Sequence, residues 1–497
     1  MALPLVACLS LLISACAQEP DKGTFHGGLA LDTPEAAPGY VLFAPLTATT
    51  TFLIDRKGEV VHSWKNPLST LSVYLLDDGT LLRSARVVEN PIFNRGGRTG
   101  VIQRLDKDSK VVWEYQLCDA TDSMHHDIEP MPNGHVLVVA WERVPVETAA
   151  ALGRDSEHIH PDGWWPDRVL EIAPKQPTGG EIVWQWRSRD HLLQNVDAAK
   201  PNYGAPGEHP ERIDVNAELH DEGLSAEERA SEEKQRGELA DIGYGGGDAD
   251  AKGEKGARAR HPIDDWLHLN SVDYDAAHDL ILVSSPELNE IFVIDHSTTS
   301  SEAHGSRGGR YGKGGDLLWR WGNPRNYGHG ARADQQLFFQ HQPDWIRPGL
   351  PGAGHVLVFN NGLGRPGAPH SSIEELELPF DPEHGFTRQD DAAFGPAKPV
   401  WSYSDPTPAH FAALFISGCH RLANGDTFVC AGPQGRLFEV TPAGKIVWEY
   451  WNTAGGELEN VFNTGRVNLV KPTAIFRATK LAPDHPGLKA LGVGGEH

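Results

Sequence analysis

The chain has 497 residues and a formal net charge of −24. This length is ample for a sizeable core, and the strong negative charge excludes nucleic acid and anionic membrane surfaces as natural partners. The charge is uneven, because residues 205–241 contain 12 acidic and 4 basic residues, a net of −8.

The first 16 residues, MALPLVACLSLLISAC, are apolar and uncharged. This run is too short to cross a bilayer as a helix, which takes ~20 residues, and it suits a secretory signal. Its end, ISAC, resembles a bacterial lipobox, in which the cysteine (here Cys16) is lipidated and becomes the mature N-terminus. We therefore expect residues 1–16 to be a signal peptide, residues 17–37 to be a linker, and the protein to be exported to the periplasm or cell surface with a lipid tether at Cys16.

A unit containing tryptophan recurs along the chain. In IDRKGEVVHSW, LDKDSKVVWEY and TPAGKIVWEYW, a turn leads into a β-branched pair and then an aromatic residue. Such a pattern predicts a turn followed by a short strand. The tryptophans of the six units are Trp64, Trp113, Trp184, Trp319, Trp401 and Trp448.

A second unit alternates with the first, as in LLDDGTLLRS, MPNGHVLVVA and LANGDTFVCAG, and each copy reads as a turn and a short apolar strand. Helical periodicity is nearly absent, so the pattern predicts an all-β fold. Six repeats of a sheet around an axis fit both units, and we predict a six-bladed β-propeller over residues 38–480. An acidic insertion, residues 187–263, separates blades three and four and is expected outside the ring, and residues 481–497 form a tail. An array of β-sandwich domains is the structural alternative.

A histidine recurs just before the second unit of several blades. The sequence assigns His125 and His126 to blade two, His268 to blade four, His341 to blade five and His420 to blade six. Innermost strands of a propeller line its channel, so histidines at the heads of four such strands would meet at one mouth. By strand alternation, His126 is expected to face the channel and His125 the other side. Taken singly, each of the 24 histidines is more often a buried hydrogen-bonding residue than a site residue.

Three further polar residues stand beside these strand heads. Asn270 follows His268, and FNNGLGR places Asn361 and Arg365 at the end of a blade-five strand. A lone arginine is usually a surface residue. One that follows a channel strand beside a glycine-rich turn is a fair anion ligand, because its guanidinium offers a planar pair of donors.

The last hairpin carries two cysteines. Cys419 and Cys430 flank HRLANGDTFV, and a two-residue turn at Asn424 and Gly425 would place them opposite each other. An exported protein permits a disulfide there, although connectivity does not follow from sequence alone.

The segments HHDIEPMPNGHVLVVAWE, DWLHLNSVDY and ISGCHRLANGDTFVCAGPQGRLFEVTPAGKIVWEY resemble the bacterial arylsulfotransferase (aryl-sulfate sulfotransferase) family. The resemblance extends from about Gly39 to Trp451. It implies a six-bladed propeller that moves a sulfuryl group from a phenolic sulfate ester to a phenol, without a cofactor and without the nucleotide donor PAPS. It also implies a ping-pong reaction through a sulfated histidine.

The resemblance carries over residue by residue. His268 in WLHLN and His341 in QHQPDW match two active-site histidines of the family, and Arg365 in NNGLGR matches its arginine. His420 is the best positional candidate for the nucleophile, and His126 has a supporting role. One departure is Pro343, which stands where the well-studied branch of the family has an asparagine.

Aromatic and amide residues beside the histidines are the candidates for holding the substrate. An aryl ring fits between aromatic side chains, although most aromatic side chains of a protein pack in its core. The candidate substrate-binding residues are Asn270, Asn361, Trp266 and Trp345, and Phe339 is a further aromatic candidate beside His341.

Two other functions stay open on the sequence. Histidines at a channel mouth, with Asp127, are suitable ligands for a divalent metal in a sulfatase-like hydrolase. No compact spacing such as HExxH supports this, and we expect no metal. The other alternative is a propeller that binds partners without catalysis, since fold alone does not fix function.

Overall fold

The computed structural model of the chain describes residues 27–87, 90, 92–219, 225–227, 229, 230, 234, 264–457 and 471–493. The predicted signal peptide and the lipidation site Cys16 lie outside the described residues. Within them, no helix combines the length and the apolar character that a membrane crossing needs.

Short strands make up most of the ordered structure. The first half of the chain contains β1 (Gly28–Asp32), β2 (Tyr40–Pro45), β3 (Thr50–Ile54), β4 (Val60–Lys65), β5 (Thr70–Leu75), β6 (Leu81–Arg86), β7 (Gly100–Leu105), β8 (Val111–Gln116), β9 (Asp122–Pro130), β10 (Val136–Glu142), β11 (Asp167–Pro174), β12 (Gly180–Arg187), β13 (Leu192–Leu193) and β14 (Ile213–Asp214). The second half contains β15 (Ser271–Asp275), β16 (Leu280–Ser285), β17 (Glu290–Asp295), β18 (Trp319–Trp321), β19 (His341–Trp345), β20 (Val356–Asn360), β21 (Ser372–Leu376), β22 (Phe380–Asp381), β23 (Gly385–Phe386), β24 (Trp401–Tyr403), β25 (Gly418–Arg421), β26 (Thr427–Ala431), β27 (Arg436–Val440), β28 (Ile446–Trp451) and β29 (Ile475–Leu481). The α-helices described are α1 (Val146–Ala151), α2 (Ser300–Ala303) and α3 (Pro486–Ala490).

Six antiparallel sheets form the blades of a β-propeller. Blade one has the strand order β29-β2-β3-β4, blade two β5-β6-β7-β8, blade three β12-β11-β10-β9, blade four β15-β16-β17-β18, blade five β19-β20-β21-β24 and blade six β25-β26-β27-β28 with β1 at its outer edge. The strands β29, β5, β9, β15, β19 and β25 contact one another in turn around the ring and are therefore innermost. Blade one takes its innermost strand from the C-terminal part of the chain, and this pairing closes the ring.

The predicted repeats occupy fixed places in the blades. All six repeat tryptophans lie on the fourth strand of a blade, counted from the channel (β4, β8, β12, β18, β24 and β28), and the second unit supplies the second strand of its blade. The prediction of six blades is confirmed. The blade number given to His125 and His126 is wrong, because β9 is the innermost strand of blade three. The two histidines fall after the tryptophan of blade two, so the count of tryptophans placed them one blade early.

The segments expected outside the ring partly belong to it. Residues 28–32 of the predicted linker form β1, which pairs with β28. In the described part of the predicted insertion, β13 and β14 pair in parallel, and Leu192 and Ile213 are buried in the core between blades three and four. Its acidic centre lies largely outside the described residues. In the predicted tail, α3 buries Leu488 against blades one and two.

The repeat tryptophans connect each blade to the next. In four blades the repeat indole N–H donates a hydrogen bond to a backbone carbonyl that precedes the fourth strand of the following blade. These bonds run from Trp113 to Gly179, Trp319 to Gly395, Trp401 to Pro442 and Trp448 to Arg56, at 2.7–2.9 Å. In blade three the repeat Trp184 donates to Oγ1 of Thr298 at 3.1 Å, and Trp186, two residues on, donates to the Gly315 carbonyl at 2.7 Å. A buried indole needs such an acceptor, so each bond fixes one blade against its neighbour.

The junction between blades one and two is built differently. Nε1 of Trp64 has no acceptor among the described residues. The ring of His62 lies 4.4 Å from the Trp64 ring. Burial lowers the pKa of His62, and the backbone of Lys107, in the turn before β8, opposes this effect.

The predicted disulfide is wrong, since Cys419 and Cys430 are free thiols. Five residues lie between β25 and β26, and the Leu422 N–H donates to the Asp426 carbonyl at 2.8 Å. The turn inside this bond has three residues, with Gly425 left-handed at φ 91°, in place of the expected two. Gly418 is therefore opposite Cys430, and Cys419 is opposite Val429. Neighbouring strand positions point to opposite faces, so the two sulfur atoms lie in different core clusters.

We predict that Trp319→Phe destabilises the protein more than Trp64→Phe. Both tryptophans are fully buried, and both changes remove the same apolar surface, but only Trp319→Phe leaves a half-buried carbonyl, that of Gly395, without its donor. The difference should be about 1–2 kcal/mol. Thermal melting midpoints at one scan rate would test this, and equal midpoints for the two variants would refute the role of the indole bonds.

Candidate functional site

Three of the predicted histidines lie together at one mouth of the channel. His126 is in β9, His268 stands three residues before β15, and His341 opens β19. The ring centres of His126 and His268 are 4.4 Å apart, and all three side chains are buried. We call these three residues the histidine cluster. The predicted convergence is confirmed for them.

The cluster depends on irregular backbone at the heads of the inner strands. His126 and His268 have φ of 51° and 52°, and Gln342 and Ile416 in the next two blades have φ of 43° and 47°. Left-handed conformations are uncommon for residues other than glycine and are frequent at functional sites. Around His126 and at the start of β19, a bulge interrupts the pairing of the inner strand, and bulges re-aim side chains.

Gly97 makes room for His126. The Gly97 carbonyl accepts the His126 backbone N–H at 2.6 Å. A Cβ atom at Gly97 would lie 1.8 Å from the His126 ring, so no other residue fits there.

A chain of contacts sets the proton positions on His126. Nε2 of His125 lies 2.8 Å from Oδ1 of Asp167, and this oxygen also accepts the backbone N–H of Leu269. Burial raises the pKa of Asp167 to about 7, while backbone N–H groups such as that of Leu269 favour its charged form. In the tautomer of His125 that places a proton on Nε2, facing this carboxylate, Nδ1 of His125 is an acceptor. Nδ1 of His126, 2.8 Å away, then carries the proton of that bond. Nε2 of His126 therefore holds the lone pair of the neutral ring.

Burial keeps His126 neutral. Burial lowers the pKa of His126 well below its usual value, and the positive charges of its neighbours lower it further. The His125 ring stacks on Trp141 at 4.0 Å inside blade three, whereas the His126 ring meets blade four. The predicted opposite orientation of the two histidines agrees with these contacts.

The surroundings of His268 shift its pKa in the direction opposite to that of His126. Its Nδ1 lies 2.5 Å from Oδ2 of Asp265, whose Oδ1 accepts the indole N–H of Trp141 at 2.8 Å. Burial alone would lower the pKa of His268, but the charge of Asp265 and its hydrogen bond raise it above the usual value. The cluster thus places a neutral imidazole beside one that favours its charged form.

His341 is held neutral through both ring nitrogens. Nδ1 donates to Oδ1 of Asn361 at 2.8 Å, and Nε2 accepts the backbone N–H of Ile416 at 3.2 Å. Burial lowers its pKa to about 3. Asn361 is fixed in turn, because its amide donates to the carbonyls of Ala413 and Ile416. This geometry suits a fixed wall of the site better than a group that exchanges protons.

An apolar collar surrounds the cluster at this mouth. The ring of Phe476 lies 6.0 Å from His126, and that of Phe339 lies 6.0 Å from His341. Apolar walls around a few convergent polar groups are typical of small-molecule sites. The collar consists of Leu46, Leu71, Phe339, Ile416, Ala474 and Phe476, with the half-buried Leu363 and Phe415 against them.

His420 does not join the cluster. His420 pairs with Phe428 on the second strand of blade six. Asp344 in blade five and Asp273 in blade four pair with the second strands of their blades in the same way, and neither belongs to the cluster. Its Nε2 contacts the backbone of Lys480, four residues beyond Phe476 on β29 and roughly 13 Å further along that strand. Burial lowers its pKa to about 4. The expectation that His420 shares the mouth is wrong, because its position is two residues too deep in the strand.

The other predicted residues have packing or local roles. Arg365 contacts Nε2 of His370 and Oγ of Ser372. Trp266 packs in the core against Trp164, with its indole donating to Glu218. Trp345 lies in the core between blades four and five. Asn270 donates to the carbonyl of Gln340 and so ties blade four to blade five. Neither tryptophan is part of the collar.

Sequence reasoning missed three charged residues of the site. Asp265 stands three residues before His268 in DDWLHLN, a spacing that could have drawn attention to it. Asp167 and Arg477 come from other strands, and no local pattern marks them. Among the described residues, no three histidine, cysteine, aspartate or glutamate side chains are grouped so that they could hold a metal ion.

The family model described as Arylsulfotransferase (ASST) matches residues 32–447, most of the chain. No curated protein matches the chain significantly in sequence.

Several solved structures resemble the chain. One is a protein of unknown function from Bacteroides caccae, with 12% sequence identity and a TM-score of 0.42 over 90% of this chain and 99% of that chain. A streptogramin B lyase has 12% identity and a TM-score of 0.35 over 86% of this chain and 83% of its own. The virginiamycin B lyase of Staphylococcus aureus has 11% identity and a TM-score of 0.33, over 85% and 87%.

Proposed function

The chain belongs to the arylsulfotransferase family, and from this premise we propose that it transfers a sulfuryl group from an aryl sulfate ester to a phenol through a sulfohistidine, without PAPS. The observation that carries the proposal is the pair His126 and His268. Two imidazoles in contact have their pKa values moved in opposite directions, which is the arrangement of a nucleophile beside a general acid.

In the first half-reaction, His126 is the nucleophile. The lone pair on its Nε2 forms a bond to sulfur while the bond between sulfur and the aryl oxygen breaks. His268 gives its proton to the departing phenolate, so the products are a phenol, a neutral His268 and N-sulfated His126. The contact of His125 with Asp167 supports this role, because it keeps the proton of His126 on Nδ1.

In the second half-reaction, an acceptor phenol takes the place of the first. His268 removes its proton, the phenolate oxygen bonds to sulfur, and the bond between sulfur and Nε2 of His126 breaks. Asp265 supports both steps, since a carboxylate 2.5 Å from Nδ1 stabilises the imidazolium form of His268. The enzyme then returns to its starting protonation.

The apolar collar supports an aryl substrate. Phe339 and Phe476 flank His341 and His126 at ring distances of 6.0 Å, where an aromatic ring of donor or acceptor can pack on either. His341 and Asn361 form a fixed wall of the site. This assignment replaces Trp266 and Trp345 as the residues that hold the ring.

We predict that His126→Gln lowers kcat for transfer from 4-nitrophenyl sulfate to a phenol by roughly 1,000-fold or more, as expected for loss of a nucleophile. His420→Gln, the same change outside the cluster, should leave transfer nearly unaltered. Intact-mass analysis after donor addition without acceptor should detect a sulfuryl adduct in the wild type and in His420→Gln but not in His126→Gln. An adduct that is absent only in His420→Gln would overturn the assignment, and release of free sulfate without acceptor would point to a sulfatase.

We predict that transfer declines on the alkaline side as His268 loses its proton, at a pH above the usual value of 6.5 because Asp265 raises this pKa. Asp265→Asn removes the largest influences that raise the pKa of His268 and leaves the smaller ones of Glu287 and Asp167 against burial, so the alkaline limb of kcat/KM should move to lower pH. Asp316→Asn is the matched control, since it pairs with the buried His191 at 2.8 Å outside the channel, and it should leave the limb unmoved. A limb that stays in place in Asp265→Asn would contradict the role of His268 as the acid.

We also propose that the protein acts outside the cytoplasm, anchored by a lipid on Cys16. The apolar, uncharged start of the chain and its ISAC ending support this. In a bacterial host, Cys16→Ser should move the full chain from the membrane fraction to the soluble periplasmic fraction, whereas Cys8→Ser in the same apolar run should not. Equal membrane association of both variants would contradict the anchor.

A further inference from the structure

Arg477 is a buried cation on the strand that closes the ring. It lies on β29, one residue after Phe476 of the apolar collar, and its side chain is 8% exposed. Nη1 contacts Oδ2 of Asp127 at 2.7 Å and the Tyr74 hydroxyl at 3.3 Å. One side of the guanidinium is thereby fixed.

The other side of the same guanidinium has no partner. Nε and Nη2 of Arg477 are buried and have no hydrogen-bond acceptor among the described residues. Donors of a charged group left unsatisfied in the interior cost free energy, and buried polar groups are rarely without partners. These two N–H groups point the same way from one edge of the guanidinium plane and match two oxygens of an oxyanion.

Other arginines of this protein show what that edge binds. Nε and Nη2 of Arg95 contact both carboxylate oxygens of Asp264. In the same way, Nε and Nη2 of Arg320 contact both oxygens of Glu290. At Arg477 the same pair of donors is present without its oxyanion.

The position of Arg477 relates it to the histidine cluster. Asp127, which holds its Nη1, directly follows His126 in β9. After the effect of burial, the positive charge of Arg477 is among the influences that lower the pKa of both His126 and His341. The cation is therefore within electrostatic reach of the imidazoles.

We infer that Arg477 is the anion-binding residue of the channel, which holds two oxygens of a sulfate group through Nε and Nη2. This inference rests on the proposed function for the identity of the anion. The guanidinium would neutralise the charge of the donor ester on binding and the charge on the sulfuryl oxygens during transfer.

The inference adds to the role expected of Arg365. Both Nη atoms of Arg365 already contact His370 and Ser372. Arg477 is the arginine whose fixed side is joined to the strand of His126. A lysine at this position would supply a charge but not the planar pair of donors.

The test measures binding and catalysis separately in the full chain. Arg477→Met should weaken the affinity for inorganic sulfate, measured by titration calorimetry, and raise KM for 4-nitrophenyl sulfate, each by roughly 100-fold for two charge-assisted bonds. Arg477→Lys should lie between this variant and the wild type. The matched control is Arg83→Met, which removes another buried arginine whose Nη2 donates to the Leu68 carbonyl away from the cluster, and it should leave both quantities unchanged.

Folding is controlled with a second variant. Arg477→Met leaves Asp127 as an unpaired buried charge, so the double variant Asp127→Asn with Arg477→Met removes that charge and should show the same loss of sulfate affinity. Wild-type affinity in either folded variant would overturn the inference while leaving sulfotransfer intact. Sulfate binding that depends on Arg477, in a protein without sulfotransfer, would support the inference and reject the proposed function. A wild type that binds neither sulfate nor 4-nitrophenyl sulfate would overturn it.

Discussion

The hydrogen bonds between neighbouring blades are the constraint on which the remaining structure depends. A propeller blade buries its faces only against other blades, and apolar packing alone is non-directional. Each indole bond, such as Trp113 to Gly179 or Trp448 to Arg56, fixes the orientation of one blade relative to the next at the rim of the ring. With the outer strands fixed in this way, the inner strands of neighbouring blades keep a fixed position along the channel axis. His126 can therefore contact His268 across a blade boundary.

Asp265 makes the two buried, contacting imidazoles chemically different. Moving an imidazole out of water favours its neutral form, and His126 follows this rule. His268 departs from it only because Asp265 is within 2.5 Å, and Asp265 is held in turn by the indole of Trp141. Two imidazoles with opposite pKa shifts thus arise from the same residue type, and the difference comes from the carboxylate of Asp265.

The sequence predicted those parts of the fold that repeat. Tryptophans at the outer strands and turns before the second strands recur in each blade, so the number of blades could be counted. The register of the strands within a blade could not be predicted, since it depends on turn lengths such as the three-residue turn in the hairpin that carries Cys419 and Cys430. The same uncertainty placed His420 with His341, although a difference of two positions moves a side chain roughly 7 Å along the channel.

The charged partners of the site were beyond prediction for a different reason. Asp167 and Arg477 reach the cluster from strands that are distant in the chain, and Arg477 is 350 residues from Asp127, its partner. Only closure of the ring by β29 brings this cation to the strand of His126. Before closure, Asp127 lacks its arginine and Phe476 is missing from the collar, so the step that completes the fold also completes the site. An open ring would keep most blade packing but would lack both the anion-binding cation and the aromatic wall, and we therefore expect binding of an anionic aryl substrate to depend on the closed propeller.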